Sequence, residues 1–345
     1  MAREDGVGSM GRLVVTGGMG FIGSCFARRR LEAGLDEVVV VDKLTYAGNL
    51  DNLKAHRKDP HLTFVKGDVC NRALMHRVTC GADALVHFAA ETHVDRSILE
   101  AGTFVRTDVV GTWSVLEACR RNDVRRVIHI STDEVYGEAE GKPCTEESPL
   151  KPKSPYAASK AGGDRLAFSF HATYGLPVVI SRCTNNYGPY QHPEKLIALF
   201  ATNALLDKPL PLYGTGQNTR EWIHVEDHCA ALDLLLTAKG VDGEVFNIGS
   251  SEEASALSIG KQILKQLGKS DSLLRHVNDR PGHVQRHAVD WSKAKERLGW
   301  MPQKPFDAGL RETVGWYRTN DWWWRPIRER ESGMLHDVPS RRLRG

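Results

Sequence analysis

The chain has 345 residues, and its 46 Lys and Arg nearly cancel 43 Asp and Glu to leave a net charge of +3. At roughly 100–200 residues per domain, that length means one large domain or two small ones, with room for a sizeable core. Balanced charge argues against a nucleic-acid binder and against disorder; 41% apolar residues, 32 glycines and 15 prolines are ordinary globular usage, and no apolar run reaches the ~18 residues of a membrane span.

Residues 1–10 carry acids near the front and no apolar stretch, and read as a flexible arm rather than a signal peptide. From residue 11 onward, apolar runs and helical patterns alternate. A β-rich run at 12–16 precedes a helical pattern at 21–33 and then EVVVV at 37–41, which is too continuously apolar for a half-exposed strand and reads as a buried parallel one. Further strands are expected at 63–65, 84–88, 127–131 and 178–182, and helices at 104–121 and 156–174. This alternation predicts an α/β fold with a Rossmann-type doubly wound parallel sheet, covered on both faces, over residues 11–185. After Asn185, prolines and glycines cluster in YGPYQHPEK and KPLPLYGTGQ. Strand-like pieces at 220–224 and 245–248 flank a helix at 225–237, and the segment 220–250 is expected to thread back onto the large sheet. An amphipathic helix at 258–267 and a Trp-rich end belong to a smaller C-terminal α/β lobe over 186–330. Trp322, Trp323 and Trp324 read as lobe packing, since no basic patch surrounds them, and 331–345 as a basic, solvated tail. Seven cysteines without a CxxC pair fit packing residues in a reducing cytoplasm better than a disulfide framework or a zinc site. The histidines show no repeated metal-ligand spacing, and no metal is expected.

Gly18-Met19-Gly20-Phe21-Ile22-Gly23 is a GxGxxG with Gly17 just ahead, set between the LVVT strand and a helix. Glycines in that place permit a tight turn and close approach of backbone N–H groups to a pyrophosphate, and the helix N-terminus adds favourable partial charge. Asp42 ends the EVVVV strand about 20 residues on, where a carboxylate accepts both adenosine ribose hydroxyls and repels a 2′-phosphate. NAD is therefore expected over NADP, a preference that the neighbouring Lys43 softens. Asp68, after the third strand, either caps the adenine edge or is a plain loop acid. The expected cofactor contacts are Gly17, Gly20, Phe21, Ile22, Gly23, Asp42, Lys43, Thr45, Asp68, Val69 and Ala89, with Tyr156 and Lys160 at the reacting end.

Tyr156-Ala-Ala-Ser-Lys160 is a YxxxK whose two ends share one helix face. A free phenol has a pKa of ~10, so a phenolate at pH 7 costs about 4 kcal/mol. A nearby ammonium and the positive nicotinamide ring offset much of that, and the pair can take a sugar hydroxyl proton while hydride leaves to NAD.

The blocks TGGMGFIG, VVDKLTYAGNLDNL, HFAAETHVDRSI, STDEVYGE, SPYAASKAGGD, NNYGPYQHPEKLI and NTREWIHVEDH together resemble the extended short-chain dehydrogenase/reductase family and, within it, the dTDP-glucose 4,6-dehydratases, over about residues 11–325. Most of these blocks occur across NDP-sugar enzymes; Ser131-Thr132-Asp133-Glu134 discriminates among them. The resemblance implies an NAD-dependent hydro-lyase of deoxysugar biosynthesis. Oxidation at C4 of the hexose makes C5–H acidic and the C6 hydroxyl a leaving group β to a carbonyl, so elimination needs one group to pull H5 and another to protonate departing hydroxide. By resemblance Glu134 is the base, Asp133 the acid, and Thr132 hydrogen-bonds the C4 oxygen. Asp133 must then hold its proton at neutral pH, which burial beside the Glu134 charge can bring about.

The resemblance further implies a nucleotide-sugar site of Glu91, Thr92, Asn186, Glu194, Lys195, Leu196, Arg220, Arg280 and His283, with the Arg220 guanidinium suited to a pyrophosphate. It also implies a homodimer built through a four-helix contact. The chain departs from the family pattern at Asp108 (usually Asn), His192 (commonly an aromatic), Val284 (usually Asp) and His287 (usually Tyr). These departures bear on which base or sugar is accepted. Two rivals remain: another NDP-sugar converter (a UDP-sugar dehydratase, 4-epimerase or decarboxylase) and a catalytically silent NAD-binding protein. The Thr132-Asp133-Glu134 triplet argues against an epimerase, and the intact Tyr156, Lys160, Asp133 and Glu134 set against silence.

Overall fold

The computed structural model describes residues 11–335; the expected arm at 1–10 and residues 336–345 of the expected tail lie outside the described residues, while 331–335 continue the last helix. In chain order the first half runs β1 (Gly11–Thr16), α1 (Phe21–Ala33), β2 (Asp36–Asp42), β3 (Leu62–Lys66), α2 (Arg72–Thr79), β4 (Ala84–His87), α3 (Val94–Leu99), α4 (Ala101–Phe104), α5 (Thr112–Arg121), β5 (Arg126–Thr132), α6 (Pro155–Tyr174) and β6 (Val178–Cys183). The second half runs β7 (Asn185–Tyr187), α7 (Leu196–Leu205), β8 (Leu210–Tyr213), β9 (Thr219–His224), α8 (Val225–Thr237), β10 (Val245–Ile248), β11 (Glu253–Ser255), α9 (Ala256–Leu267), β12 (Leu274–Val277), β13 (Arg286–His287), α10 (Ser292–Leu298), α11 (Phe306–Thr319) and α12 (Asp321–Leu335).

Seven strands form one parallel sheet in the order β10-β6-β5-β4-β1-β2-β3. Apolar–polar alternation is absent from its central strands because both faces are covered. Leu13, Val14 and Val15 of β1 are all fully buried, Leu13 and Val15 against α1 and α8, Val14 against α2 and α5. The order reverses between β1 and β4, and the turns leaving these two strands part to open a crevice at the C-terminal edge of the sheet. On α1, Arg30 is fully buried and reaches Asp36 of β2 and Asp233 of α8, which locks the helix that carries the glycine turn.

The smaller lobe holds β11-β9-β13, with β7 paired to β9, and a separate β12-β8 pair. Its core gathers Tyr187, Phe200, Trp222, Leu264, Leu310, Trp323 and Trp324. Of the three consecutive tryptophans, two pack inside while Trp322 stays exposed beneath the Lys54 ammonium.

Two features differ from the sequence expectation. The segment 220–250 divides: α8 and β10 return to the large sheet, whereas β9 stays in the lobe, because Asn185–Tyr187 pairs with it directly, Asn185 against Trp222. The helix expected over 104–121 is interrupted by a π-helical turn at Val105–Gly111. Gly111 passes so close to Val69 that an added Cβ would lie 2.8 Å from its side chain, and the Thr112 hydroxyl donates to the Asp108 carbonyl at 2.6 Å. The wide turn swings the Asp108 side chain inward, where it is buried.

Candidate active site

The glycine turn leaves β1 with Gly17 at φ +69°, a conformation that favours glycine, and a Cβ there would sit 2.6 Å from the Ala89 backbone nitrogen on the far side of the crevice. A Cβ on Gly23 would lie 2.4 Å from the Gly17 carbonyl oxygen. Only a bare backbone closes this turn. The N-terminus of α1 that follows has no side-chain cap and no acid in its first turn, so its free N–H groups and positive end face the cleft.

At the end of β2, Asp42 accepts from the amides of Met19 (2.9 Å) and Leu44 (2.7 Å). Burial raises its pKa, and those two amides oppose the rise. Lys43, which the sequence left as an open question, turns to Asp68 and pairs with it at 2.8 Å; burial raises Asp68, but Lys43 and the Cys70 amide bring it below the ordinary carboxylate range. The Lys43 charge is therefore answered locally. Gly17, Gly20, Phe21, Ile22, Gly23, Asp42, Lys43, Thr45, Asp68, Val69, Ala89, Tyr156 and Lys160 all line one cleft.

Across that cleft β5 ends at Thr132 and runs into a 3-10 turn, Asp133–Tyr136, rather than an irregular loop. The Thr132 hydroxyl accepts from the Glu134 amide and donates to Asp133 Oδ1 at 3.1 Å. Ser154 caps α6, Pro155 occupies its first turn, and Tyr156 and Lys160 follow on its buried face. Lys160 Nζ donates to the Ile130 carbonyl at 2.6 Å. Asp164, one turn further, accepts twice from Arg182 of β6 (2.8 and 2.9 Å), and Arg182 also donates to the Tyr136 hydroxyl at 2.8 Å. The helix that carries Tyr156 and Lys160 and the turn that carries Asp133 and Glu134 are thus bolted to one guanidinium. Burial raises Asp164, yet Arg182 brings it down to about 2, so the bolt stays charged.

The electrostatics separate the two adjacent acids. Asp133 is 3% exposed, and burial followed by the Glu134 charge pushes its carboxyl well above the ordinary range, which favours its protonated form. Glu134 lines the cleft; burial raises it too, but Arg220, Arg280 and Lys195 oppose the rise. Tyr156 is raised by burial and then by Glu134 and Asp108, while burial lowers Lys160. Asp108 accepts from Ser159 Oγ at 2.6 Å and from the Glu91 amide at 2.9 Å, and its negative charge favours the Lys160 ammonium.

Of the expected substrate residues, Glu91, Thr92, Asn186, Glu194 and Lys195 line the same cleft. Arg220 and Arg280 line a small side chamber that Glu134 joins to the main cleft. Arg220 donates only to its neighbour's carbonyl and makes no ion pair among the described residues, so its charge is placed to meet an anion. Two residues fall elsewhere. Leu196 opens α7 and turns into the lobe core, and His283 is held by Asp279 at 2.6 Å against Tyr213, outside the lining of either cavity. The departures at His192, Val284 and His287 all line these cavities, and Asp108 stands behind the cleft wall at Glu91. Thr107, Ser131, Cys183, Thr184, Asn185 and Gln191 also line the cleft. Asn185 and Gln191 sit inside the NNYGPYQHPEKLI block, whose presence was their only signal in the sequence.

A glycine turn at the switch point of a doubly wound parallel sheet, faced across one cleft by a helical Tyr–Lys pair, defines an extended short-chain dehydrogenase/reductase. The family model described as GDP-mannose 4,6 dehydratase matches residues 14–313, and the dTDP-glucose 4,6-dehydratase of Streptomyces niveus is 51% identical over 322 residues, covering 92% of this chain and 96% of that protein. The chain belongs to the dTDP-glucose 4,6-dehydratase family. The crystal structure of DesIV, a dTDP-glucose 4,6-dehydratase from Streptomyces venezuelae solved with NAD bound, is similar at a TM-score of 0.89 and 52% identity, covering 92% of this chain and 99% of that one. The UDP-glucose 4-epimerase of Thermotoga maritima, solved with UDP-glucose, is similar at 0.83 and 30%, covering 90% and 99%.

Proposed function

We propose that this protein is a dTDP-glucose 4,6-dehydratase that converts dTDP-glucose to dTDP-4-keto-6-deoxyglucose with the loss of one water. The observation that carries this reading is the pair of unlike carboxyls on the turn after β5, Asp133 buried and hydrogen-bonded to Thr132, Glu134 lining the cleft together with Tyr156 and Lys160.

The cofactor half fits NAD. The bare turn at Gly17 and Gly23 leaves room for a pyrophosphate at the uncapped N-terminus of α1, and Asp42 is placed for the adenosine ribose. Bound NAD supplies a hydride acceptor at C4 and a donor at C6. Tyr156 takes the proton of the C4 hydroxyl, helped by the Lys160 ammonium one helical turn away. Thr132 holds the C4 oxygen. Glu134 removes H5, and Asp133 protonates the oxygen leaving C6. Arg220 and Arg280 clamp the pyrophosphate, and Asn186, whose amide is fixed by Thr184 and His228 at 2.9 Å each, meets the hexose end. Glu194 and Lys195 face the nucleotide end, with Glu91 and Thr92 between nicotinamide and sugar.

The working unit in this reading is a homodimer. Leu99, Val105, Val110 and Phe168 are exposed apolar residues on α3, the π turn and α6, and a two-fold partner would cover them in a four-helix contact. All seven cysteines are free, which suits a reducing cytoplasm. No helix among the described residues is long and apolar enough to cross a membrane.

The test offers dTDP-, UDP-, GDP- and CDP-glucose in parallel and reads the product by mass spectrometry. Loss of one water from the dTDP sugar supports the reading. Epimerisation without mass loss, or NAD binding with no turnover of any of the four, overturns it.

A further inference from the structure

The YAGNLDNL block carries a buried asparagine that neither the cofactor site nor the catalytic turn uses. Asn52 is 2% exposed. Its amide nitrogen donates to the Met19 carbonyl, in the middle of the glycine turn, at 2.9 Å. Its amide oxygen accepts from the indole nitrogen of Trp323, on α12, also at 2.9 Å. The Met19 carbonyl takes a second hydrogen bond from the Asn49 amide at 2.9 Å. One side chain therefore joins the phosphate turn to an element 271 positions away in sequence.

The surroundings make this joint stiff. Arg28 of α1 donates to the Asn52 carbonyl at 2.8 Å and lies 4.4 Å over the Tyr190 ring. Tyr190 in turn packs edge-on against Trp323, with ring centroids 5.6 Å apart, and precedes Gln191 and His192 in the cleft wall. Both polar atoms of the Asn52 amide are thus engaged inside a buried joint, where a hydrogen bond holds its geometry firmly and a lost partner is costly.

We propose that Asn52 and Trp323 are positioning residues that fix the glycine turn in its cofactor-binding form, so that docking of the C-terminal helix sets how tightly NAD is held. This deepens the functional reading above and rests on it for the identity of the cofactor. A dehydratase that returns its hydride to the same substrate gains from a cofactor that never leaves, and the last helix supplies that grip from outside the site.

The experiment uses the full chain with Trp323→Phe, which keeps an aromatic ring and deletes the donor, and Asn52→Ala. NAD and dTDP dissociation constants are measured separately by calorimetry on cofactor-stripped protein. The expected result is a rise of about tenfold in the NAD constant for each variant and a change under twofold for dTDP. Because both act through one bridge, the double variant should be no weaker than Asn52→Ala alone. NAD affinity within twofold of the parent in Trp323→Phe overturns the proposal, and so does an equal loss of dTDP affinity, which marks general loosening of the lobe. A parent that binds no NAD overturns the functional reading and this inference together; a parent that binds it normally leaves the variants to decide this inference alone.

Discussion

Asp133 and Glu134 are consecutive in the chain, yet Asp133 is 3% exposed with one oxygen hydrogen-bonded to Thr132, while Glu134 lines the cleft beside a chamber walled by Arg220 and Arg280. The Glu134 charge adds to burial in pushing the Asp133 carboxyl well above the ordinary range, which favours its protonated form. Asp133→Asn keeps the shape and removes the transferable proton. Turnover should fall by about 10²–10⁴-fold, the usual worth of a positioned acid. Oxidation at C4 should survive, seen as reduced nicotinamide building up at its absorbance band in a single turnover. Equal loss of both steps would remove Asp133 from the acid role.

Tyr156 is buried, and its phenol is pushed well above its ordinary value by burial and by the Glu134 and Asp108 charges. It is therefore a poor base until substrate and cofactor fill the cleft. Tyr156→Phe should abolish reduction of the bound cofactor while dTDP affinity stays within about threefold, because the proposed function puts the phenol at C4 of the hexose and not at the nucleotide. Residual hydride transfer within about tenfold of the parent would show that another group takes the C4 proton.

In the proposed function Asp42 meets the adenosine ribose and selects NAD, and the pairing of Lys43 with Asp68 answers the neighbouring charge that softened this preference in the sequence. Two ribose hydrogen bonds to a carboxylate are worth roughly 1.5–3 kcal/mol each. Asp42→Ala should weaken NAD by at least about tenfold and narrow the gap to NADP, read from the two dissociation constants. An unchanged NAD-to-NADP ratio would count against the ribose contact.

The readable parts of this site were those in which one residue type at one spacing does one job. Gly17 and Gly23 are readable because no side chain fits there, and the seven-stranded sheet because buried parallel strands have nothing polar to alternate with. The roles of Asp133 and Glu134 came from resemblance, since adjacency in a chain says nothing about which acid is buried. The π turn at Val105–Gly111 was hidden because it is built from the same residue types as an α-helix and is too short for its wider period to register in the apolar pattern. Leu196 follows Glu194 and Lys195 of the cleft, but helix α7 starts there and packs its side chain against the lobe core, which no spacing in the sequence shows. The Asn52–Trp323 bond joins residues that no spacing rule connects.

The buried carboxyl of Asp108 makes stability depend on pH. Burial pushes its carboxyl up to about 6, against the pull of Lys160, the Ser159 hydroxyl and the Glu91 amide. An unfolded aspartate titrates near ~3.9, so the folded value is the higher of the two. Its contribution to stability is therefore full below about pH 4 and is lost as pH rises through about 6. A shift of roughly two units corresponds to about 3 kcal/mol, a figure that already contains the opposing pull of Lys160. Asp108→Asn removes the penalty but loses one hydrogen-bond acceptor for Ser159 or the Glu91 amide, so the net gain should be about 1–2 kcal/mol, or a few degrees in melting temperature, at about pH 8. At about pH 5 the variant should melt with the parent or slightly below it, having lost one hydrogen-bond acceptor. A variant that gains in the acid and loses in the alkaline buffer would mean that Asp108 is ionised for the sake of Lys160 and that its charge, not its burial, governs this corner of the site.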